Sequence, residues 1–420
     1  MSEGREGVDT VGLDTPPPLA VDRLLDDRET RIIVCCGAGG VGKTTTAAAL
    51  GVRAAARGRK AVVLTIDPAR RLAQSMGIDS LDNTPRRVAR VGEDGGELHA
   101  MMLDMKRTFD EIVEAHADAE RARAILANPF YQSLSAGFAG TQEYMAMEKL
   151  GQLRARDDWD LIIVDTPPSR SALDFLDAPK RLGSFLDGKF IRVLMAPAKV
   201  GGRAGMKFLN VGMSMMTGTL SKLMGASLLK DVQTFVAAMD TMFGGFRTRA
   251  DATFRLLQAP GTAFLVVAAP EPDALREAAY FVERLAAERM PLAGLVLNRV
   301  HGSGADQLSA ERALAAAENL EEGGIVDQES GKAGLRDTAA EPPGADDDTT
   351  AVDRITAGLL RLHAERMQVI AREQRTRDRF TSLHPEVAVA EVAALPGDVH
   401  DLAGLRAIGE RLAAGVPAGA

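Results

Sequence analysis

The chain has 420 residues, of which 46% are hydrophobic, which is enough for one large α/β domain or two ordinary ones. Its 50 basic and 58 acidic residues give a formal net charge of −8, which argues against nucleic acid or an anionic membrane surface as the main partner. The N-terminus lacks a signal-peptide pattern, and no stretch approaches the roughly 20 apolar residues of a membrane span. We therefore expect a cytoplasmic protein without stable membrane insertion.

The two cysteines of the chain, Cys35 and Cys36, are adjacent in an apolar run. On a strand, neighbouring side chains point to opposite faces, so this pair cannot share a metal ion. We interpret both as packing residues of a protein in a reducing compartment.

Residues 1–22 are polar and rich in glycine, with three consecutive prolines, and we predict that they are disordered ahead of a fold that begins near Val21. From there, short apolar runs alternate with longer helical patterns. The runs cover residues 31–36, 61–67, 98–104, 161–166, 263–269, 294–300 and 386–392. Their continuous apolar character predicts a mostly parallel sheet with helices on both faces, in one α/β domain over residues 23–415.

Two long stretches interrupt this alternation and are predicted as helical excursions, at about 105–157 and 180–260. The second contains eight of the chain's 17 methionines: Met195, Met206, Met213, Met215, Met216, Met224, Met239 and Met242. Unbranched, polarizable side chains suit an adaptable apolar groove for a client, but they also pack as the ordinary core of a helical subdomain. We favour the core.

Residues 321–353 contain ten acidic and two basic residues with Gly and Pro throughout, which predicts a disordered insert. After it, Ile355, Leu359, Leu362 and Val369 recur at helical spacing. This pattern predicts an amphipathic helix that docks on the domain through these side chains.

A phosphate-binding loop follows the first apolar run. Residues Gly37, Gly42, Lys43 and Thr44 form the pattern G-x-x-x-x-G-K-T between a strand and a helix, which is the context that this loop requires. Backbone N–H groups would surround the phosphates, Lys43 would reach the β and γ phosphates, and the Thr44 hydroxyl would bind Mg²⁺. The predicted ATP-binding residues of the loop are Gly37, Gly39, Gly40, Val41, Gly42, Lys43, Thr44 and Thr45.

Two aspartates end neighbouring apolar runs, Asp67 in the second and Asp165 in the fourth. A parallel sheet brings both to the edge that carries the loop. One carboxylate there would hold Mg²⁺ together with Thr44, and Asp67 could orient or deprotonate the attacking water. Each aspartate could also be an ordinary turn residue at the end of a strand.

Six motifs in a specific order carry a resemblance to a known family. They read GAGGVGKTTTAA, TIDPARRL, GTQEYMAMEKL, VDTPPSRSALDFL, LNR and LPGDVHDLAGL, and they span most of residues 23–415. The chain resembles the ArsA-like branch of the deviant-Walker P-loop ATPases, which includes the arsenite pumps and the tail-anchored-protein-targeting factors. It is most similar to the actinobacterial members known as anion-transporting ATPases.

The resemblance implies a P-loop NTPase fold of the SIMIBI type with a helical subdomain. It also implies a dimer, of identical or paralogous subunits, with two ATP molecules at the interface and helical subdomains moved by hydrolysis. By the same resemblance, Asp67 is the water-orienting switch residue, Asp165 holds Mg²⁺, and Asn298 reads adenine beneath the region of Pro396. A hydrophobic protein is the implied client.

The chain departs from the family where a lysine that crosses the dimer is replaced by Ala38. We hypothesise that Arg170, with Arg70 or Arg71, supplies the missing transition-state charge. Solvated ion pairs are an equally good interpretation of these arginines, and a paralogous subunit could instead supply the lysine. The metalloid-binding cysteines of the arsenite pumps and the Cys-x-x-Cys clip of the targeting factors are absent from the sequence.

The preferred function is a Mg²⁺-dependent ATP hydrolase that acts as a dimeric switch, with Lys43, Asp67 and Arg170 as catalytic residues. A P-loop kinase of small molecules, or an ATP-dependent ligase, is the first alternative. A partitioning or positioning ATPase is third, because such proteins commonly end in a basic amphipathic helix and the tail of this chain, residues 402–420, has two arginines and no other basic residue.

Overall fold

A single eight-stranded sheet forms the centre of the molecule. The computed structural model describes residues 16–66, 71–92, 95–135, 141–167, 248–321 and 345–414. The strands are β1 Ile32–Cys36, β2 Lys60–Thr65, β3 Arg86–Arg87, β4 Glu97–Met102, β5 Leu161–Asp165, β6 Thr262–Ala268, β7 Leu292–Val300 and β8 Val389–Ala393. Their order in the sheet is β3-β4-β2-β5-β1-β6-β7-β8.

The strand pairing confirms the predicted fold class. Every neighbouring pair is parallel except β3 with β4, which is antiparallel. All seven predicted strands are present, with ends shifted by up to three residues. The eighth, β3, was missed because its two arginines carry no apolar signal. A parallel sheet places the ends of β1, β2, β5, β6 and β7 at one edge, where ligands bind in open α/β sheets.

Helices cover both faces of the sheet and account for nearly all the described residues of the first predicted excursion. They are α1 Val21–Asp26, α2 Lys43–Ala56, α3 Arg71–Ser75, α4 Met105–His116, α5 Ala119–Leu126, α6 Pro129–Ser135, α7 Thr141–Arg156, α8 Pro272–Ala287, α9 Ala310–Glu321, α10 Ala345–Leu383 and α11 Leu402–Ala414. Of the second excursion, residues 248–258 are helical, whereas its eight methionines lie outside the described residues. No helix among the described residues is both long and apolar enough to cross a membrane.

The two faces of the sheet have separate cores, divided by the alternation of side chains along each strand. Ile33 and Cys35 of β1 face α2 and α11, whereas Val34 and Cys36 face the side of α4, α7 and α8. The cysteines therefore point to opposite faces, as predicted. On the α2 side, a Cβ atom at Gly51 would lie 2.7 Å from Val63 Cγ2, so the glycine lets the helix lie close to the sheet.

The predicted disordered N-terminal segment, residues 1–22, requires correction at its end. The backbone N–H of Val389 donates to the Pro17 carbonyl (2.9 Å), and the N–H of Leu19 donates to the Val389 carbonyl (3.0 Å). These bonds cover part of the outer side of β8, an edge strand whose backbone groups would otherwise be unpaired. A proline-rich stretch can do this because Pro17 contributes only its carbonyl. Residues 1–15 lie outside the described residues.

The predicted disordered insert, residues 321–353, also requires correction at both ends. Glu321 is the last residue of α9, and α10 begins at Ala345, so residues 345–353 are helical. Charged residues are compatible with a helix that buries only a narrow face, which composition alone does not reveal. Residues 322–344 lie outside the described residues.

The helix α10 docks on the domain through a different face from the predicted one. Ile355, Leu359 and Leu362 are more than 60% exposed, and the prediction that they dock the helix was wrong. The side chains that α10 buries include Ala357 and Ala364, both fully buried, and α9 buries two alanines of its own. Small side chains allow two helices to approach closely, and a search for large apolar residues overlooks them.

Candidate functional site

The phosphate-binding loop connects β1 to α2 in a conformation that only glycine tolerates at two positions. Gly42 precedes α2 with a φ of 94°, and a Cβ atom there would lie 2.2 Å from Asn298 Nδ2. A Cβ atom at Gly37 would lie 2.0 Å from the carbonyl oxygen of Val267 on β6. The glycines of the motif therefore permit both the left-handed turn and the close approach of neighbouring strands.

The Lys43 side chain extends back across the phosphate-binding loop, which precedes it in the sequence. Its side chain is 5% exposed, and Nζ donates to the carbonyl oxygens of Ala38 (2.7 Å) and Gly37 (3.1 Å). The ammonium group is thus buried against backbone oxygens at the N-terminus of α2. A phosphate bound in the loop would meet this charge together with the N–H groups at the N-terminus of α2.

A buried carboxylate joins the loop to β5. Asp165 is fully buried, and its Oδ2 accepts hydrogen bonds from the hydroxyls of Thr44 (2.7 Å) and Thr65 (2.8 Å). The structure therefore brings the predicted magnesium ligands Thr44 and Asp165 into direct contact. Hydroxyl and carboxylate oxygens are ligands that Mg²⁺ prefers, so this pair fits the ion. Asp67, the third predicted ligand, lies outside the described residues.

The thiols beside this carboxylate behave as packing groups. Burial raises the pKa of Cys35 well above its ordinary value, and the neighbouring Asp165 carboxylate raises it further. Burial raises the pKa of Cys36 to about 12. Both side chains therefore remain thiols at neutral pH, in agreement with the interpretation that they are packing residues.

Asn298, near the end of β7, is in contact with the loop. Its Nδ2 donates to the Val41 carbonyl at 2.9 Å, and the residue is 8% exposed. Asn298 pairs in the sheet with Val392 of β8, so the chain that leaves β8 passes close to it. Pro396 lies four residues further on and is exposed. The adenine-binding roles of Asn298 and Pro396 stay predictions.

The structure gives a location for Ala38 but not for the arginines that were predicted to replace its missing charge. Ala38 is 8% exposed, and its methyl group packs in the core on the α2 side. Its carbonyl oxygen accepts a hydrogen bond from Lys43 Nζ. Arg170 and Arg70 lie outside the described residues, and Arg71 begins α3 with its side chain undescribed. Charge compensation by these arginines stays a prediction.

Three polar contacts at this edge of the sheet were not predicted. Thr65 donates to Asp165, as described, and the hydroxyl of Thr166 donates to the Cys35 carbonyl at 2.8 Å. Gln142, in the first turn of α7, donates from Nε2 to the Ile66 carbonyl at 2.9 Å, immediately before Asp67. Polar residues at the ends of buried strands were the available signal for the two threonines. For Gln142 it was the motif GTQEYMAMEKL.

A buried network of charges connects α7 to two other helices. Glu148, 5% exposed, accepts hydrogen bonds from Arg249 Nε (2.8 Å) and the Tyr144 hydroxyl (3.2 Å). The next residue, Lys149, pairs with Glu111 of α4 at 3.0 Å. Burial raises the pKa of Tyr144, and the Glu148 carboxylate raises it further. The network joins α4, α7 and the helix of residues 248–258.

Comparison with known proteins agrees with this geometry. The family model of the anion-transporting ATPases (ArsA ATPase) matches residues 30–321. The ATPase GET3 of Malassezia globosa is 29% identical over 173 residues, 41% of this chain and 50% of that protein. The ATPase GET3 of Podospora anserina is 26% identical over 299 residues, 69% of this chain and 80% of that protein. The ATPase BagA of Mycobacterium tuberculosis is 29% identical over 168 residues, 38% of this chain and 48% of that protein.

Proposed function

Because this chain belongs to the anion-transporting ATPase family, it is an ATPase, and we propose that it works as a Mg²⁺-dependent dimeric switch that handles a client protein. The observation that carries the proposal is the convergence of Lys43, Thr44 and Asp165 at one edge of the sheet. A cation, a hydroxyl and a carboxylate are what phosphoryl transfer from Mg-ATP requires of a P-loop.

Lys43 binds and positions the phosphates in this proposal. Its ammonium group already lies within the loop, where it bonds two backbone carbonyls, so it would exchange those carbonyls for phosphate oxygens with little movement. A bond to a charged phosphate is stronger than one to a neutral carbonyl, which favours the exchange. The loop N–H groups hold the remaining phosphate oxygens.

Thr44 and Asp165 would hold the metal ion, and Thr65 keeps Asp165 in place. Bound Mg²⁺ supplies positive charge to the β and γ phosphates. The Thr65 hydroxyl donates to the same carboxylate oxygen as Thr44, which limits the rotation of the Asp165 side chain. Thr65 is therefore a positioning residue.

Asp67 is proposed to orient the attacking water, and Gln142 to hold the backbone before it. Gln142 is on α7 and donates a hydrogen bond to the Ile66 carbonyl. A change in the backbone conformation at Asp67 would therefore shift α7. The ion pairs that Glu148 and Lys149 of the same helix form would transmit this movement to two further helices. This is the route by which hydrolysis would move the helical subdomain and open or close a dimer around a client.

Phosphate release from ATP without any added substrate tests the proposal. We expect Mg²⁺-dependent release by the parent chain, none by Lys43→Ala, and parent activity in Lys106→Ala, an exposed control on α4. Asp67→Asn should bind ATP and lose turnover. Release that requires an added metabolite would instead favour the kinase or ligase alternative, and parent activity in Lys43→Ala would place catalysis elsewhere.

A further inference from the structure

Strand β7 ends in a β-bulge beside the phosphate-binding loop. Asn298 and Val300 pair with consecutive residues of β8, so Arg299 is an extra residue between them. Its φ of 62° lies in the left-handed region, which is unfavourable for a residue with a Cβ atom. Bulges are frequent next to active sites, where they redirect a neighbouring side chain. The neighbour here is Asn298, whose Nδ2 donates to the Val41 carbonyl of the loop at 2.9 Å.

Helix α10 holds the chain that follows the bulge. The backbone N–H of His301 donates to Glu373 Oε2 at 3.0 Å, and His301 Nδ1 lies 2.6 Å from Oε1 of the same carboxylate. Arg366 Nε donates to the Gly302 carbonyl at 2.6 Å. The Glu373 side chain is 13% exposed, so water competes little for its bonds. A left-handed residue persists where its surroundings determine it, and this carboxylate fixes the second residue after Arg299.

A second ion pair links the same helix to the strand beside β7. Arg377, one turn after Glu373, donates from Nη1 to Glu391 of β8 at 2.7 Å. Glu391 pairs in the sheet with Leu297, immediately before Asn298. Between α10 and the ends of the two strands lies a cavity of about 480 Å³, whose walls include Glu373 and Arg377. The helix therefore holds the strand opposite the bulge and the chain after it through charged groups, across a space that is not closely packed.

We infer that Glu373 is a positioning residue of the ATP site, which keeps the bulge at Arg299 and so holds Asn298 in its contact with the phosphate-binding loop. The inference rests on the proposed ATP site and on the predicted contact between Asn298 and adenine. Glu373 itself bonds His301 and acts on the site only through the backbone. Without the bulge the register of β7 changes by one residue, and a change of one residue moves side chains to the opposite face of a strand. Asn298 would then lose its present orientation toward the loop.

This positioning affects the base of the nucleotide more than its phosphates. Lys43 and the loop N–H groups, which are proposed to bind the phosphates, do not depend on the bulge. Asn298 is predicted to bind adenine, and its carboxamide offers a donor and an acceptor, the pattern that adenine N7 and N6 match. Guanine has an acceptor, O6, where adenine has the N6 amino group. The preference for adenine over guanine nucleotides therefore reports the position of Asn298.

Calorimetry with Mg-ADP and Mg-GDP tests this role, because the two diphosphates differ in their bases and are not hydrolysed. We expect the parent to prefer ADP. Glu373→Gln should bind ADP about tenfold more weakly and GDP almost as well as the parent does, since a lost bond to a carboxylate is worth at least that factor. In ATP hydrolysis KM should rise while kcat stays at the parent value, because Lys43, Thr44 and Asp165 are untouched. Glu365→Gln removes an exposed charge earlier in the same helix and is the matched control, which should behave as the parent does.

Substitution of Arg299 tests the bulge itself. Glycine adopts the left-handed conformation without strain, so Arg299→Gly should keep the bulge when the Glu373 carboxylate is absent. The double variant Glu373→Gln with Arg299→Gly should therefore recover most of the preference for ADP. Arg299→Ala in the same background removes the same side chain but retains a Cβ atom, and it should recover none of the preference.

Three results would overturn the inference: a Glu373→Gln variant with the parent's preference for ADP, equal weakening of ADP and GDP, or equal recovery by Arg299→Gly and Arg299→Ala. A parent that binds both diphosphates equally would also overturn it. The melting temperature shows whether Glu373→Gln folds. If it does not, Arg299→Val in the parent chain should reproduce the loss of preference, because a β-branched residue disfavours the left-handed conformation, and an unchanged preference there would overturn the inference.

The same titrations separate this inference from the proposed function. A parent chain that binds neither diphosphate would contradict the proposed ATP site and, with it, the role of Glu373. A parent that binds ADP, beside a Glu373→Gln variant that binds it equally well, would contradict the role of Glu373 alone.

Discussion

At the scale of single residues, the nucleotide motif predicted most of what the structure brings together, because its chemistry is local. The loop glycines, Lys43 and Thr44 follow one another in sequence, and their contacts follow from the backbone turn. Asp165 was predicted from the edge of a parallel sheet and lies 2.7 Å from Thr44 Oγ1. Thr65 was missed because its signal, a polar residue at the end of a buried strand, does not indicate which group its hydroxyl contacts.

Thr65 offers a test of the buried carboxylate. Thr65→Val keeps the shape of the side chain but removes a hydroxyl that donates to Asp165 Oδ2. A lost hydrogen bond to a buried charge costs about 1.5–3 kcal/mol, so the free energy of unfolding without nucleotide should fall by that amount. Thr65→Ser keeps the donor and should lose less than half as much. Equal losses in the two variants, measured by urea unfolding, would assign the effect to packing.

The arginine hypothesis also belongs at this scale. If Arg170, with Arg70 or Arg71, supplies transition-state charge, Arg170→Ala should lower turnover at saturating ATP, by up to about 10³-fold for a true arginine finger. Arg70→Ala and Arg71→Ala, measured beside it, identify the second contributor. Ala38→Lys tests the same idea from the other side. Because Ala38 is buried, the new lysine must extend out of the core, and the melting temperature of the variant has to show that it still folds. Parent turnover in all four variants would leave the hypothesis without support.

At the scale of elements, the sequence predicted seven strands because each is a continuous apolar run, but it could not predict how α10 packs. Hydrophobic periodicity finds a face of large side chains and assumes that this face is buried. In α10 the alanines Ala357 and Ala364 are buried and the large residues are exposed. The choice between the two faces depends on which helix lies opposite, and α9 offers the small, closely packed surface. The order of strands was equally beyond the sequence, since β1 pairs with β5 and β6, which are distant in the chain.

The link between α7 and the end of β2 can be tested at one hydrogen bond. Gln142→Ala removes the donor that holds the Ile66 carbonyl. ATP binding should persist, because the loop is untouched, and turnover should fall by up to about tenfold, since one neutral hydrogen bond is worth roughly 0.5–1.5 kcal/mol. Gln152→Ala removes the same side chain further along α7 and is the matched control. If the two variants hydrolyse ATP equally fast, Gln142 has no role in positioning Asp67.

At the scale of the whole molecule, α7 contacts the sheet edge through Gln142 and is joined to two other helices through its buried charges. Glu148 and Lys149 are adjacent on α7 but pair with different helices, Arg249 on one side and Glu111 on the other. Nothing in the local sequence reveals these partners, because Glu148 and Arg249 are 101 residues apart. Composition marks charged residues as surface groups by default, and these two of α7 are 5% and 3% exposed.

Breaking this network should cost more stability than breaking an exposed ion pair. Glu148→Gln leaves the Arg249 guanidinium, 27% exposed, without its carboxylate, so we expect a loss of about 1–3 kcal/mol, below the 3–5 kcal/mol of a fully buried pair. The control Glu114→Gln breaks an exposed pair with Arg107 and should cost less than about 0.5 kcal/mol. In the double variant Glu148→Gln with Arg249→Gln, part of the loss should be recovered, because no uncompensated charge remains. Urea unfolding measures the free energy of unfolding of all three variants. If Glu148→Gln loses no more stability than Glu114→Gln, the Glu148 carboxylate does not anchor α7. Movement at the nucleotide site could then not reach the neighbouring helix through this ion pair.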